Sequence, residues 1–160
     1  QLVGLFANQE SSYVNQVVRQ CGLDIVQLCG VEGPKYWSKI NCSIIKQVKV
    51  DTANQGKDLL GEIKQRVDDV TEAGHIALLD SYEPGALGGT GKTFDWSIAK
   101  LINANKMIIL AGGLTADNVN NAITTVHPLA VDVSSGVETD GQKDESKLRN
   151  FINNARNADK

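Results

Sequence analysis

The sequence predicts an α/β fold built on a parallel sheet, and three observations predict it. Short apolar runs alternate with amphipathic stretches along all 160 residues. The runs are apolar on both faces rather than alternating, as expected of strands covered on both sides. Three of them stop abruptly at groups suited to chemistry: ALLDS at 77–81, ILAGGL at 109–114 and AVDVSSGVE at 130–138. Parallel strands whose C-terminal ends carry a carboxylate, a Gly-Gly pair and a Ser-Ser-Gly turn are how α/β folds assemble an active site. The chain reads as an enzyme.

The elements follow in order. A strand at 2–6 leads to a helix at 12–21, where Val14, Val17 and Val18 recur at helical spacing and Ser11 or Ser12 can cap. A strand at 25–29 precedes a short helix at 34–40, with Pro34 in its first turn. After the strand at 43–48, the helix at 57–72 sets Leu59, Leu60, Ile63, Val67 and Val70 on one face, and Gly74 closes it. The strand at 75–80 is followed by a helix at 94–103 carrying Trp96, Ile98, Leu101 and Ile102. The strand at 106–111 leads to a helix at 116–126, capped by Thr115 and stopped before Pro128. The strand at 129–133 and a helix at 145–158, with Leu148, Phe151 and Ile152 on one side, complete the pattern.

No linker or low-complexity stretch divides residues 1–160, so they read as one domain. Six units fit either an open doubly wound sheet or part of an eight-fold barrel. A whole barrel usually needs at least about 200 residues, so two units would be missing. The chain also starts without Met and enters a strand at once, which leads us to expect a piece of a longer polypeptide.

Composition excludes other classes. A net charge of -3 argues against nucleic-acid binding, which needs a basic face. No apolar stretch reaches the roughly 18 residues of a membrane helix. Three cysteines do not form a disulfide framework and favour a reducing compartment, the cytoplasm. No metal-ligand spacing joins the cysteines to His75 and His127, so no metal is expected.

Asp80 is the strongest candidate for chemistry. A carboxyl at a strand end among apolar neighbours has a raised pKa, which suits a general acid; the competing reading is a turn or cap residue. Gly112, Gly113, Ser134, Ser135 and Gly136 end the last two strands, where glycines let the backbone approach an anion. One Gly-Gly pair alone reads as a tight turn, but two such loops at consecutive strand ends read as a phosphate site. ALGGTGKT at 86–93 resembles a P-loop with Ala86 in place of the first Gly, yet residues 81–85 separate it from its strand. The alternative is a mobile lid hinged at Gly88, Gly89 and Gly91. Cys29, at a strand end beside Gly30, can face the same rim, whereas Cys21 falls at a helix end as a bystander.

VGLFANQ, GLDIVQLCG, SIIKQV, ALLDS, GGTGKTFDW, ILAGGLTADNV and AVDVSSGVETDGQKD together resemble phosphoribosylanthranilate isomerase, over essentially the whole chain. The resemblance implies units three to eight of a (β/α)8 TIM barrel. It implies a cofactor- and metal-free Amadori rearrangement of N-(5-phosphoribosyl)anthranilate in tryptophan biosynthesis. Asp80 would be the general acid, Gln27 and Asp132 would face the substrate, and its phosphate would lie at Gly112, Gly113, Ser134, Ser135 and Gly136. The substrate is then a small phosphorylated molecule. The family's general-base cysteine lies in a K-[VI]-C-G motif; Cys21-Gly22 imitates this but precedes the wrong strand, so the chain alone is expected to be inactive. Cys29 stands where the family has His in Q-L-H-G. In some fungi the enzyme ends a multifunctional polypeptide, which would link this chain covalently to other tryptophan-pathway domains. The other readings are a P-loop nucleotide-binding protein and a non-catalytic barrel remnant.

Overall fold

The computed structural model describes residues 1–51, 59–82, 93–103 and 107–158. Its six main strands are β1 (Val3–Phe6), β2 (Ile25–Leu28), β3 (Ser43–Asp51), β4 (Ile76–Tyr82), β5 (Ile108–Leu110) and β6 (Ala130–Val131). They form one parallel sheet in the order β1-β2-β3-β4-β5-β6. A doubly wound sheet reverses strand order at a switch point. The unbroken sequential order is that of a barrel wall, and this decides between the two architectures the sequence allows.

The helices are α1 (Ser11–Cys21), α2 (Pro34–Trp37), α3 (Leu59–Glu72), α4 (Trp96–Asn103), α5 (Val119–Val126) and α6 (Glu145–Ala158). Gly22, at φ 62°, and Gly74, at φ 81°, supply the left-handed residues after α1 and α3. A short hairpin of β7 (Glu138–Thr139) and β8 (Gln142–Lys143), which the sequence reading lacked, precedes α6. Several boundaries also differ. Strands β3 and β4 run past 48 and 80 because they extend together, with Val50 opposite Ser81 and Asp51 opposite Tyr82. Helix α1 starts after Glu10 without a side-chain cap, so neither Ser11 nor Ser12 caps it. Helix α5 begins at Val119, not 116. The Asn118 side chain accepts the Thr115 N–H and donates to the Gly113 carbonyl, holding 113–118 as a turn.

Alternation along the strands sorts side chains onto two faces. Val26, Leu28, Ile44, Val48, Leu79 and Leu110 join the larger core, with Val14, Val67, Ala122 and Phe151 from the helices. The opposite face holds a small cluster of Ile45, Leu78, Ile109 and Ala111. By the same parity Gln27, Gln47, Lys49, Asp80 and Asp132 belong to this inner face, nearer the C-terminal ends of the strands. Both edges of the sheet carry exposed apolar residues, Leu5 in β1 and Leu129 beside β6.

Candidate active site

Asp80 stands on the inner face of β4, two residues before the strand ends. On the neighbouring strand, Gln47 Nε2 donates to Asp80 Oδ2 at 2.6 Å. Across the other side, Gly112 lies so close that a Cβ built there would sit 2.8 Å from Asp80 Oδ1 and still nearer the Ser81 amide. Burial pushes the Asp80 carboxyl above its ordinary pKa; the Gln47 hydrogen bond and Lys49 oppose the rise, and the negative charge of Asp132 adds to it. Asp132 is also raised by burial, with the Lys143 ammonium opposing. Asp80 is half-buried and Asp132 exposed, and both carboxyls lie at one end of one face.

The glycine loops meet beside them. Gly112 and Gly113 have φ of 86° and 64°, a region L side chains rarely adopt. Gly136 packs on the Leu114 carbonyl with no room for a Cβ, so the loops after β5 and β6 are in direct contact. The N–H groups of Gly112, Gly113 and Ser134 have no partner among the described residues. Lys143 Nζ donates to the Ser134 carbonyl at 3.0 Å and pairs with Glu138 at 2.6 Å. Free amides next to a fixed cation make an anion-compatible corner.

Gln27 lies on the same face of β2, with Nε2 3.7 Å from Cys29 Sγ. Burial raises the Cys29 thiol; Gln27 and Lys46 oppose, while Glu32 and Asp80 add to the rise, so it stays protonated and poorly nucleophilic. Cys21 is exposed at the end of α1, and Cys42 contacts the Leu23 and Asp24 carbonyls at the start of β3. His75 packs edge-to-face on buried Trp37 at 5.7 Å, away from the rim. No group of three or more His, Cys, Asp and Glu suited to a metal occurs among the described residues, and none of their helices is long and apolar enough to cross a membrane. Gly88, Gly89 and Gly91, with the P-loop-like stretch, lie outside the described residues.

Two residues at the site escape sequence reading. Gln47 is visible only once strand parity assigns it to the inner face, and Lys143 only once the β7–β8 hairpin folds it back on Ser134. A cavity of about 540 Å³ borders the site through Cys29, Gln47 and Lys49, although the glycine loops are not among its walls.

A sequentially ordered parallel sheet with paired carboxyls and glycine loops at its C-terminal rim defines an enzyme of the barrel type. Residues 1–154 match the family described as N-(5'phosphoribosyl)anthranilate (PRA) isomerase. The N-(5'-phosphoribosyl)anthranilate isomerase of Trichlorobacter lovleyi is 46% identical over 160 residues, 99% of this chain and 73% of the relative. Phosphoribosyl anthranilate isomerase from Thermotoga maritima superposes with a TM-score of 0.81 at 36% identity, over 97% of this chain and 72% of that one. A phosphoribosyl anthranilate isomerase in complex with reduced 1-(o-carboxyphenylamino)-1-deoxyribulose 5-phosphate gives 0.76 at 33%, over 97% and 71%. The chain therefore belongs to the N-(5'-phosphoribosyl)anthranilate isomerase family, and it is an isomerase of tryptophan biosynthesis. The Trichlorobacter and Geobacter relatives are bacterial and named for the isomerase alone, so they lend nothing to the expected fungal multifunctional origin.

Proposed function

We propose that Asp80 is the general acid of the Amadori rearrangement of N-(5-phosphoribosyl)anthranilate. It gives its proton to the ribose ring oxygen as the C1′–O bond breaks, and the anilino nitrogen lone pair closes the C=N bond of a Schiff base. A base then takes the C2′ proton, the electrons form an enolamine, and protonation at C1′ with loss of the 2′-hydroxyl proton leaves the C2′ ketone. The observation that carries this reading is the pairing of a carboxyl raised by burial with the Gly112 backbone packed against it. A carboxyl whose pKa is raised toward the working pH is better placed to deliver its proton.

The substrate phosphate lies on Gly112, Gly113, Ser134, Ser135 and Gly136, and Gln27 and Asp132 face the sugar and anthranilate. Gly88, Gly89 and Gly91 belong to a lid. Residues 1–160 form one domain, and the six units correspond to the third to eighth of a barrel, because the two phosphate loops follow the last two strands there. The enzyme works in the cytoplasm, where its three thiols stay reduced. The family resemblance gives the base to a cysteine in a motif that Cys21, Cys29 and Cys42 do not match. On this reading the 160 residues assayed alone show no turnover, and measurable turnover would put the base within them.

The deciding experiment is Asp80→Asn in the full-length enzyme. Loss of a general acid costs about 100- to 10,000-fold in turnover with the fold retained. Turnover within threefold of the parent would remove Asp80 from the acid role.

A further inference from the structure

Gln47 does more than fill the inner face beside Asp80. Its Nε2 donates to Asp80 Oδ2 at 2.6 Å. Its Oε1 is buried and has no hydrogen-bond partner among the described residues. A buried amide oxygen left this way is costly in a folded protein and calls for an explanation. The amide is held at one end only, by the carboxyl itself.

That asymmetry has a chemical use. A charged carboxylate accepts and needs a donor, whereas the neutral acid offers one O–H and needs an acceptor. Gln47 carries both, and nothing fastens Oε1 against rotation about the terminal torsion. Turning the amide over presents Oε1 to the Asp80 O–H in place of Nε2 to the carboxylate, with the same number of hydrogen bonds made. We propose that Gln47 is the positioning residue for Asp80, holding its carboxyl at the rim in both protonation states by a turn of the side-chain amide. This rests on the reading of Asp80 as the general acid.

Among the described residues, the other groups that act on Asp80 cannot do this. Lys49 on β3 offers only donors, and Asp132 after β6 and Cys29 after β2 enter the local balance as charge or potential charge. Gly112 contributes no side chain. Gln47→Met keeps the length and removes donor and acceptor together. Gln47→Glu keeps an acceptor and brings a like charge beside Asp80.

The test is a titration of the Asp80 carboxyl by ¹³C NMR in the parent and both variants, together with the pH profile of kcat/KM and the split between kcat and KM in the full-length enzyme. Gln47→Met loses a bond in each protonation state, and because the charge-assisted bond to the carboxylate is the stronger of the two, the Asp80 titration and the alkaline limb of the profile move upward by about one pH unit, and further in Gln47→Glu through its like charge. We expect kcat to fall at least tenfold with KM changing less than threefold, because Gln47 positions the acid rather than binding substrate. A residue that only packs would leave the titration unmoved. An unchanged Asp80 titration in Gln47→Met overturns the proposal, even where Asp80→Asn is inactive and the acid reading stands. Near-parent turnover in Asp80→Asn overturns the acid reading instead, and with it the catalytic role given to Gln47. If Gln47→Met does not fold, the same titration in Gln47→Leu, which also lacks donor and acceptor, decides.

Discussion

Lys46 should be among the most expensive single residues to remove from this protein. It points into the outer core from the middle of β3, and it is 6% exposed. Its ammonium donates to the Leu28 carbonyl at 3.2 Å, the Gly30 carbonyl at 2.6 Å and Glu32 Oε2 at 2.9 Å, so all three protons are used. Glu32 in turn accepts the Asn8 N–H at 2.7 Å, and its side chain is 2% exposed. Lys46→Met fits the space but leaves a buried carboxylate with no counter-charge, a change that costs about 3–5 kcal/mol. For a protein of this length that is a fall in Tm of about 6–20 °C. Replacing both partners, Lys46→Met with Glu32→Leu, should cost less than the single change, because no unpaired charge stays behind. The pH dependence follows from Glu32. Burial pushes its carboxyl up, but the Asn8 N–H and the Lys46 ammonium outweigh this and hold it below the ordinary value. Its stabilisation is thus present above the unfolded pKa and lost as pH falls through the lowered folded one. The deficit of Lys46→Met should shrink in that acid range. Urea melts at pH 7 and at pH 3 measure both effects. A loss below about 1 kcal/mol at pH 7, the size of an exposed pair, would refute the argument.

The remaining predictions concern the rim. Gly112→Ala forces a side chain to φ 86° and against Asp80 and the Ser81 amide; left-handed strain and overpacking together cost about 2–5 kcal/mol, and an unchanged urea melt would be incompatible with that geometry. Asp80→Asn should be more stable than the parent at pH 7, because burial and Asp132 raise the native carboxyl pKa and charging it costs folding energy. The gain should vanish as pH falls through the raised folded pKa toward the unfolded one, and a variant less stable at pH 7 would reverse the sign. Lys143→Met should weaken inorganic phosphate binding by about two- to fivefold, since Lys143 is half exposed and screened; calorimetry showing equal affinity would take Lys143 out of the phosphate corner.

What the sequence made legible was whatever ends an apolar run. Asp80, the Gly112–Gly113 pair and Ser134–Gly136 stand out because a buried strand has no reason to carry them elsewhere. Lys46 and Gln47 sit inside SIIKQVKV and look alike in the sequence, as two polar residues in a greasy strand. Only parity separates them, one to the helix layer with Glu32 and the other to the rim with Asp80. The register that settles parity is a tertiary fact. The β7–β8 hairpin had a local signal in Asp140-Gly141, whose φ values of 51° and 74° are those of a two-residue turn. Flanking strands of two residues each were too short to read as strands. Strand β6 came out shorter than its apolar run because it has a partner on one side only.

The rim holds two carboxyls, Asp80 half-buried and Asp132 exposed, and their surroundings differ. Each inner-face strand runs from apolar to polar toward its C-terminus: Ile45 to Gln47 to Lys49, and Ile76 to Leu78 to Asp80. Burial raises Asp80 and Asp132 alike. Asp132 then has the Lys143 ammonium for a neighbour, which favours its charged form. Asp80 has Asp132 for a neighbour, and the charge that Lys143 stabilises there is the charge that disfavours ionisation of Asp80. Paired acids whose environments push their pKa values apart divide into a proton donor and a charged partner. By that reasoning the neighbouring charges favour the proton on Asp80 over the proton on Asp132, in keeping with the acid role proposed for Asp80. Asp132 is the group whose charged form has a cation beside it. Lys143 acts on this pair from the hairpin, where it also holds the Ser134 carbonyl of the glycine-loop corner.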